Sequence, residues 1–297
     1  MNNTVSNELI NKSDESVNGI INPFNKNNKS INENKIQNIL KKYGVYQNIQ
    51  NLNLYTEALT HTSYTIEKIN EVCSRDNLKV APNPDGYILL KNNSYERLEF
   101  LGDGIIESII VSYVYNRFIG QPEGFLSFMK VNLVNRITLS HLTRVIGLDE
   151  YLIISRTLDE INNSRNDDKI LCDIFESFIG AIFIDFNNST NNGYLIAEKF
   201  LINLIEDEST GLDFTEMILN DTNYKDKFIK YNRNINKLNP SFNVVENIGM
   251  GNDKKIIVHI TNPKNNEIIG KGEGNTIKKA EQAASKDGLI KLGLLNS

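Results

Sequence analysis

Residues 95–118, YERLEFLGDGIIESIIVSYVYNRF, contain three carboxylates at helical spacing. Glu96, Glu99 and Asp103 occupy positions i, i+3 and i+7, which places them on one face of an α-helix over two turns. The residues between and after them are largely leucine, isoleucine and phenylalanine, so we expect most sides of this helix to be buried. Buried acids are costly unless they are paired or bind a metal ion.

A second apolar segment, KILCDIFESFIGAIFIDF at residues 169–186, repeats this arrangement. Here Asp173 and Glu176 lie three residues apart, on one side of a second predicted helix. Two acid-bearing core helices favour a site in which they face each other and share a hard cation such as Mg²⁺, which prefers oxygen ligands. The alternative is that these acids form solvated helix faces or pair with lysine and arginine.

The strings ERLEFLGD and DIFESFIGAIFID occur in this order and resemble the ribonuclease III family. The resemblance implies an all-α ribonuclease III endonuclease domain that cleaves double-stranded RNA with Mg²⁺, or with Mn²⁺ in its place. It implies that the metal ligands are Glu99, Asp103, Asp173 and Glu176, of which Asp103 and Glu176 are also assigned to catalysis.

The same resemblance implies roles for residues around this set. Lys169 lies four residues before Asp173, as in Dicer-like KxxxDIFES segments, and its ammonium group could stabilise charge on the phosphate. A capping or surface lysine is the alternative. Glu96 and Glu123 are expected near bound RNA, although Glu96 could equally pair with Arg97. Phe100 matches the residue that inserts into the partner subunit of a homodimer, whereas its sequence context alone suggests a core phenylalanine.

Composition describes an acidic body joined to a basic tail. The chain has 297 residues and a net charge of −5, enough length for two domains. Residues 222–297 carry 13 Lys+Arg and 7 Asp+Glu, a net charge of +6, which leaves −11 on the remainder. The 2 cysteines exclude a disulfide scaffold and favour an intracellular, cytoplasmic location. No apolar run reaches the ~20 residues of a membrane span, and nothing indicates an organic cofactor.

The tail predicts one amphipathic helix, three strands and a closing helix. This α-β-β-β-α order, with GKGEGNTIKKAEQAA at residues 270–284, resembles the double-stranded RNA-binding domain. Such a domain recognises the shape of A-form RNA through phosphates and 2′-hydroxyls. The resemblance implies RNA contacts from the lysines of the first helix, the strand loop and the last helix, namely Lys225, Lys254, Lys255, Lys278 and Lys279.

Departures from that pattern leave an alternative open for the tail. The usual Gly-Pro-x-His loop is replaced by Gly249, Met250, Gly251 and Asn252, so its histidine is missing. A domain of this fold that serves in packing or protein contacts is therefore the competing hypothesis.

The predicted fold is an all-α nuclease domain followed by a small α+β RNA-binding domain. We expect a disordered N-terminal tail (1–30), a nuclease domain (31–208) with an insertion at about 66–94, a linker (209–221) and the RNA-binding domain (222–297). The predicted insertion is expected to be irregular, because Pro82, Pro84 and Gly86 mark turns.

The predicted function is that of a homodimeric endoribonuclease of double-stranded RNA, whose products have 5′-phosphates, 3′-hydroxyls and short 3′ overhangs. The alternative is a non-catalytic protein that binds and sequesters double-stranded RNA. The presence of all four expected acids favours the enzyme.

Overall fold

The computed structural model describes residues 16, 17, 19–219, 223–235, 237, 239–249 and 254–295. The chain forms two compact units, Met1–Asp213 and Phe214–Ser297, and their boundary falls inside the predicted linker. The helices of the first unit are α1 (Glu33–Lys42), α2 (Leu52–Ala58), α3 (Ile66–Asp76), α4 (Glu96–Arg117), α5 (Glu123–Val134), α6 (Arg136–Ile146), α7 (Arg156–Glu160), α8 (Asp168–Thr190) and α9 (Gly193–Ile205).

Helix α8 is the centre of the first unit. It packs against α2, α4, α6 and α9, and Phe175, Phe178 and Phe186 along it are at most 1% exposed. A helix that is apolar on nearly all sides can be stable only when neighbours surround it. The apolar segment 169–186 therefore becomes the core helix that its composition predicts.

Helices α4 and α8 cross in direct backbone contact. A Cβ atom added to Gly102 would lie 1.8 Å from the carbonyl oxygen of Glu176, and one added to Gly180 would lie 2.3 Å from that of Leu98. Only glycine allows so close an approach. The crossing brings the acid-bearing turns of the two helices together.

The N-terminal segment is anchored on the nuclease unit at residues 16, 17 and 19–30. Strand β1 (Ser16–Val17) pairs with β2 (Ile20–Ile21), which pairs in parallel with β3 (Lys79–Val80). Asn25 is 1% exposed and donates hydrogen bonds to the Ile154 carbonyl at 3.2 Å and to Asp159 Oδ2 at 2.8 Å.

The prediction of a disordered tail is therefore wrong for residues 16, 17 and 19–30. The segment is rich in asparagine, but its few anchoring side chains find buried partners distant in sequence. Residues 1–15 and 18 lie outside the described part of the chain.

The predicted insertion is also more regular than expected. Residues Ile66–Asp76 form α3, capped by Thr65, which accepts a hydrogen bond from the Lys68 amide. Ile69 and Val72 are buried on its inner side. The irregular structure expected for the insertion at about 66–94 is wrong over this helix, and the status of the segment as an insertion stays a prediction.

The second unit has the α-β-β-β-α order. After the short helix α10 (Phe214–Leu219) come α11 (Tyr224–Asn234), β4 (Ser241–Ile248), β5 (Lys255–Thr261), β6 (Ile268–Gly274) and α12 (Ile277–Lys291). The strands form an antiparallel sheet in the order β4-β5-β6. Its core contains Phe228, Val258, Ile260, Ala280 and Ala284, each fully buried.

The predicted linker (209–221) is partly ordered. Thr210 accepts a 2.6 Å hydrogen bond at its carbonyl from His141 of α6, and residues 214–219 form α10. Across the described residues, no helix is both long and apolar enough to cross a membrane.

Candidate active site

Four carboxylates flank the glycine crossing of α4 and α8. Glu99 and Asp103 lie one turn apart on α4, and Asp173 and Glu176 lie three residues apart on α8. Glu99, Asp173 and Glu176 are half-buried, and Asp103 is exposed. The charges of Asp103 and Glu99 on α4 act on Glu176 of α8, so the predicted ligands of the two helices lie near one another.

The three half-buried acids have raised pKa values because they are poorly solvated. Burial raises the pKa of Glu99 to about 7, and the charges of Asp173 and Glu96 add to the effect. Burial likewise raises the pKa of Glu176 to about 8, with further repulsion from Asp103 and Asp173. The pKa of Asp173 rises to about 6, chiefly through burial. Such a group of carboxylates is stabilised by a cation.

A cysteine adjoins the cluster and was not predicted from the sequence. One ligand atom each from Cys172, Asp173 and Glu176 lies within 4.8 Å of the others. The Cys172 thiol donates a hydrogen bond to Glu176 Oε1 at 3.4 Å. Burial raises the pKa of this thiol far above its ordinary range, so it keeps its proton near neutral pH. The sequence does place Cys172 one helical turn before Glu176, and this spacing could have predicted the contact.

A tyrosine is the second unpredicted neighbour of the acids. Tyr95 is 4% exposed, and its hydroxyl donates to Asp173 Oδ2 at 3.3 Å. Its aromatic ring meets the His61 ring edge-on, with 5.7 Å between ring centroids. Burial lowers the pKa of His61 to about 4, so this ring is neutral near pH 7.

Cationic side chains surround the cluster. The charge of Lys169 opposes the rise in pKa of both Glu99 and Asp173, which indicates that its ammonium group is close to both acids. Lys169 itself is exposed at the start of α8, where Asp167 caps its backbone amide. Lys130 of α5 forms an ion pair with Glu107 at 2.8 Å, and its charge offsets part of the rise that burial and Glu107 cause in the pKa of Asp103.

The two acids predicted to lie near RNA are outside this cluster. Glu96 is exposed and helps to line an open, polar cavity of about 430 Å³ between α3 and the start of α4. Glu123 is exposed at the start of α5, where it accepts a hydrogen bond from Ser127 at 2.8 Å. Their RNA contacts stay predictions.

Phe100 is 85% exposed, although it follows the half-buried Glu99 on α4. The alternative of a core phenylalanine is thus wrong for the single chain. An exposed phenylalanine beside the acid cluster is available to contact another molecule.

The predicted RNA-binding lysines of the second unit differ in their surroundings. Lys278 and Lys279 are exposed in the first turn of α12, where Thr276 caps the Lys279 amide. Lys225 forms an ion pair with Glu281 at 2.6 Å, and Lys255 forms one with Glu273 at 2.8 Å. Lys254 is half-buried, and residues 250–253 of the preceding loop lie outside the described residues.

Comparisons with known proteins agree with both units. Residues 96–187 match the Ribonuclease III domain family, and residues 224–292 match the double-stranded RNA binding motif family. "Ribonuclease 3" of Borreliella afzelii is 31% identical over 236 residues, which cover 80% of this chain and 83% of that protein. "Ribonuclease 3" of Chlorobaculum tepidum is 30% identical, over 68% of this chain and 70% of that protein.

Two further similarities cover the chain unequally. A mimivirus protein named "Probable ribonuclease 3" is 32% identical over 89% of this chain, but the chain spans only 46% of that protein's length. The crystal structure of the nuclease domain of ribonuclease III from Campylobacter jejuni is 26% identical. The similarity extends over 61% of this chain and 99% of that domain, with a TM-score of 0.44.

Proposed function

The chain belongs to the ribonuclease III family and is an endoribonuclease of double-stranded RNA, and we propose that Glu99, Asp103, Asp173 and Glu176 hold Mg²⁺ in its active site. The observation that carries this assignment is the group of four acids at one helix crossing, all four with pKa values raised chiefly by burial. We propose that Mn²⁺ can replace Mg²⁺.

The donor set fits a hard divalent cation. The four carboxylates supply anionic oxygen atoms, which Mg²⁺ prefers over nitrogen and sulfur. Their repulsion is relieved when a cation is held between them. The chemistry that a bound Mg²⁺ supplies is activation of a water molecule and stabilisation of charge on the leaving oxygen.

The remaining side chains position the substrate and its charge. We assign Lys169 to the scissile phosphate, because its ammonium group is exposed to solvent and lies close to two of the ligands. A preorganised cation at this position stabilises negative charge that develops in the transition state. Asp103 is the exposed member of the set, which suits the side of the cluster that the RNA approaches.

We propose a homodimer in which Phe100 of each subunit contacts the other. Its 85% exposure in the single chain supports this assignment. Two copies of the acid cluster would cut both strands of a duplex and leave 5′-phosphates, 3′-hydroxyls and short 3′ overhangs. Sedimentation of the wild type beside Phe100→Ala tests the dimer, and a monomeric wild type would contradict it.

The test of the active site is Glu176→Gln, which keeps the size of the side chain and removes its charge. We expect cleavage of a long duplex RNA in Mg²⁺ to fall by on the order of 10³-fold, comparable with the loss of a strong electrostatic contact in a transition state. Gel-shift measurements in Ca²⁺ should show unchanged RNA binding.

The matched control is Asp168→Asn on the same helix. This acid pairs with Arg144 at 2.8 Å and is not a proposed metal ligand. The variant should therefore cleave RNA at the wild-type rate. Full cleavage by Glu176→Gln would contradict its assignment as a ligand. Binding without cleavage by the wild type, in Mg²⁺ and Mn²⁺ alike, would favour the sequestering protein.

A further inference from the structure

Each of the two α8 carboxylates accepts a hydrogen bond from one buried side chain. Tyr95, 4% exposed, donates to Asp173 Oδ2 at 3.3 Å. Cys172, 8% exposed, donates to Glu176 Oε1 at 3.4 Å. Tyr95 precedes the first residue of α4, whereas Cys172 lies on α8. Each of them donates to one oxygen atom of one proposed ligand.

The tyrosine is held rigidly. Its backbone amide donates to the Thr60 carbonyl at 2.9 Å, and its carbonyl accepts the Glu99 amide at 2.8 Å. The His61 ring packs edge-on against its ring, and the His61 amide is itself bonded to the Ile153 carbonyl at 2.9 Å. Because the phenol cannot follow a rotating carboxylate, its hydroxyl favours one orientation of Asp173.

The cysteine acts over one turn of a core helix. Cys172 and Glu176 are four residues apart on α8, where side chains at i and i+4 are neighbours. The terminal torsion of a glutamate is broad and does not choose between its two oxygens. A thiol is a weak donor, but a bond to Oε1 is enough to distinguish the two oxygen atoms of Glu176.

We propose that Tyr95 and Cys172 are positioning residues for the divalent cation. Each holds one oxygen of an α8 carboxylate, so that the other oxygen is presented to the ion, and neither contacts the substrate. Groups that orient ligands in this way typically change metal affinity or activity ~10- to 100-fold when they are removed. The inference rests on the proposed function, because it requires the acid cluster to bind a divalent ion.

The competing explanation is a structural role, in which the hydroxyl and thiol are merely polar core groups with partners. The chain contains a matched case for comparison. Tyr55 is buried and donates to Asp185 Oδ2 at 3.0 Å, and Asp185 lies farther along α8. Tyr55→Phe therefore removes the same kind of bond from the same helix without touching a proposed ligand.

The experiment compares full-length Tyr95→Phe, Cys172→Ala and Cys172→Ser with Tyr55→Phe and Cys73→Ala. Binding of Mn²⁺ is measured by electron paramagnetic resonance, with the binding that remains in Glu176→Gln subtracted as background. Thermal unfolding is followed on the same samples, and the Mg²⁺ dependence of cleavage is measured separately.

We expect Tyr95→Phe and Cys172→Ala to weaken Mn²⁺ binding at least ~10-fold. The Mg²⁺ concentration for half-maximal cleavage should rise in parallel, with a smaller loss of kcat at saturating Mg²⁺. Cys172→Ser, which retains a donor, should recover most of the affinity. Tyr55→Phe should lower the unfolding temperature and leave Mn²⁺ affinity unchanged, and Cys73→Ala should alter neither.

Wild-type Mn²⁺ affinity in Tyr95→Phe and Cys172→Ala would overturn the inference while leaving the proposed function intact. Equal losses of affinity in Tyr95→Phe and Tyr55→Phe would also overturn it, in favour of a structural role. If Glu176→Gln binds Mn²⁺ as tightly as the wild type and still cuts RNA, the proposed metal site itself fails.

Discussion

A glycine in close contact with a neighbouring backbone occurs both at the acid cluster of the nuclease unit and at the lysine-bearing helix of the second unit. The charges that the two contacts position are opposite in sign. At the first, Gly102 lies so close to α8 that an added Cβ would be 1.8 Å from the Glu176 carbonyl oxygen. At the second, a Cβ added to Gly272 of β6 would be 2.0 Å from the Ala284 nitrogen of α12. Each glycine lets a helix pack directly on a neighbouring backbone.

The difference lies in the charges that the contact positions. The α4–α8 crossing gathers carboxylates in a partly buried place, where burial and repulsion raise their pKa values. The β6–α12 contact instead buries Ala280 and Ala284 and leaves Lys278 and Lys279 exposed at the helix start. Binding a small cation requires convergent ligands, whereas binding a phosphate backbone requires charges that a large polyanion can reach.

The largest effect on this comparison is expected from Gly102→Ala. The methyl group would overlap the α8 backbone, and forced separation of the helices should lower the free energy of unfolding by about 3 kcal/mol, at the upper end for overpacked cores. Denaturant unfolding measures this loss. The control is Gly104→Ala on the same helix, where a Cβ meets nothing within 4 Å.

Gly104→Ala should be neutral or stabilising by up to about 1 kcal/mol, because alanine favours helix over glycine. If Gly102→Ala is as stable as Gly104→Ala, the two helices are not in direct backbone contact at Gly102. Gly272→Ala extends the comparison, since it should destabilise the second unit in the same manner.

A smaller effect is expected from Lys278→Ala/Lys279→Ala. Loss of two exposed cations should weaken binding of duplex RNA and lower the slope of log affinity against log salt by about 1 for each lysine that contacts a phosphate. Fluorescence anisotropy over a salt series measures both. The control is Lys291→Ala at the other end of α12, where the lysine pairs with Asp287 at 2.7 Å.

An unchanged salt slope in the double variant would place the RNA-binding surface elsewhere. It would also favour the hypothesis that this unit serves in packing or protein contacts.

The effect that solvent screening reduces most, and that we therefore expect to be smallest, is a pH dependence of stability in the metal-free protein. Folding raises the pKa of Glu176 from 4.5 to about 8 and that of Glu99 from 4.5 to about 7. The folded state therefore binds more protons than the unfolded state between these values, so the free energy of unfolding falls as pH rises from 5 to 8. The unfolding temperature should therefore fall by about 3 °C between pH 5 and pH 8.

In Glu176→Gln the unfolding temperature should fall less with rising pH. Saturating Mg²⁺ should also reduce this fall, because the ion stabilises the ionised acids. Glu150→Gln at an exposed position should behave like the wild type. A metal-free protein that becomes more stable between pH 5 and 8 would show that the acids are not held in a desolvated cluster.

The parts of the site that the sequence predicts are carried by short, contiguous patterns. Glu99 and Asp103 belong to one helix and Asp173 and Glu176 to another, so helical periodicity alone places each pair on one face. The α-β-β-β-α order of the tail is predictable for the same reason, since each element has its own alternation and turn residues.

Contacts between distant segments were not predictable in this way. The ordering of residues 19–30 depends on Asn25 reaching Ile154 and Asp159, more than 120 residues away, and composition indicated disorder instead. The ion pairs of Lys225 with Glu281 and of Lys255 with Glu273 likewise join separate elements. A list of basic residues therefore overstates how many cations are free to meet RNA.

The sequence by itself determined which side chains are available for metal binding and which helices carry them, because helical spacing is a local property of the chain. Only the tertiary structure decided that Gly102 and Gly180 bring the two helices into contact, and that Tyr95 and Cys172 each donate to one ligand. Tertiary packing also left Phe100 outside the core. These features depend on the approach of segments whose distance and orientation arise from packing, which no local pattern encodes.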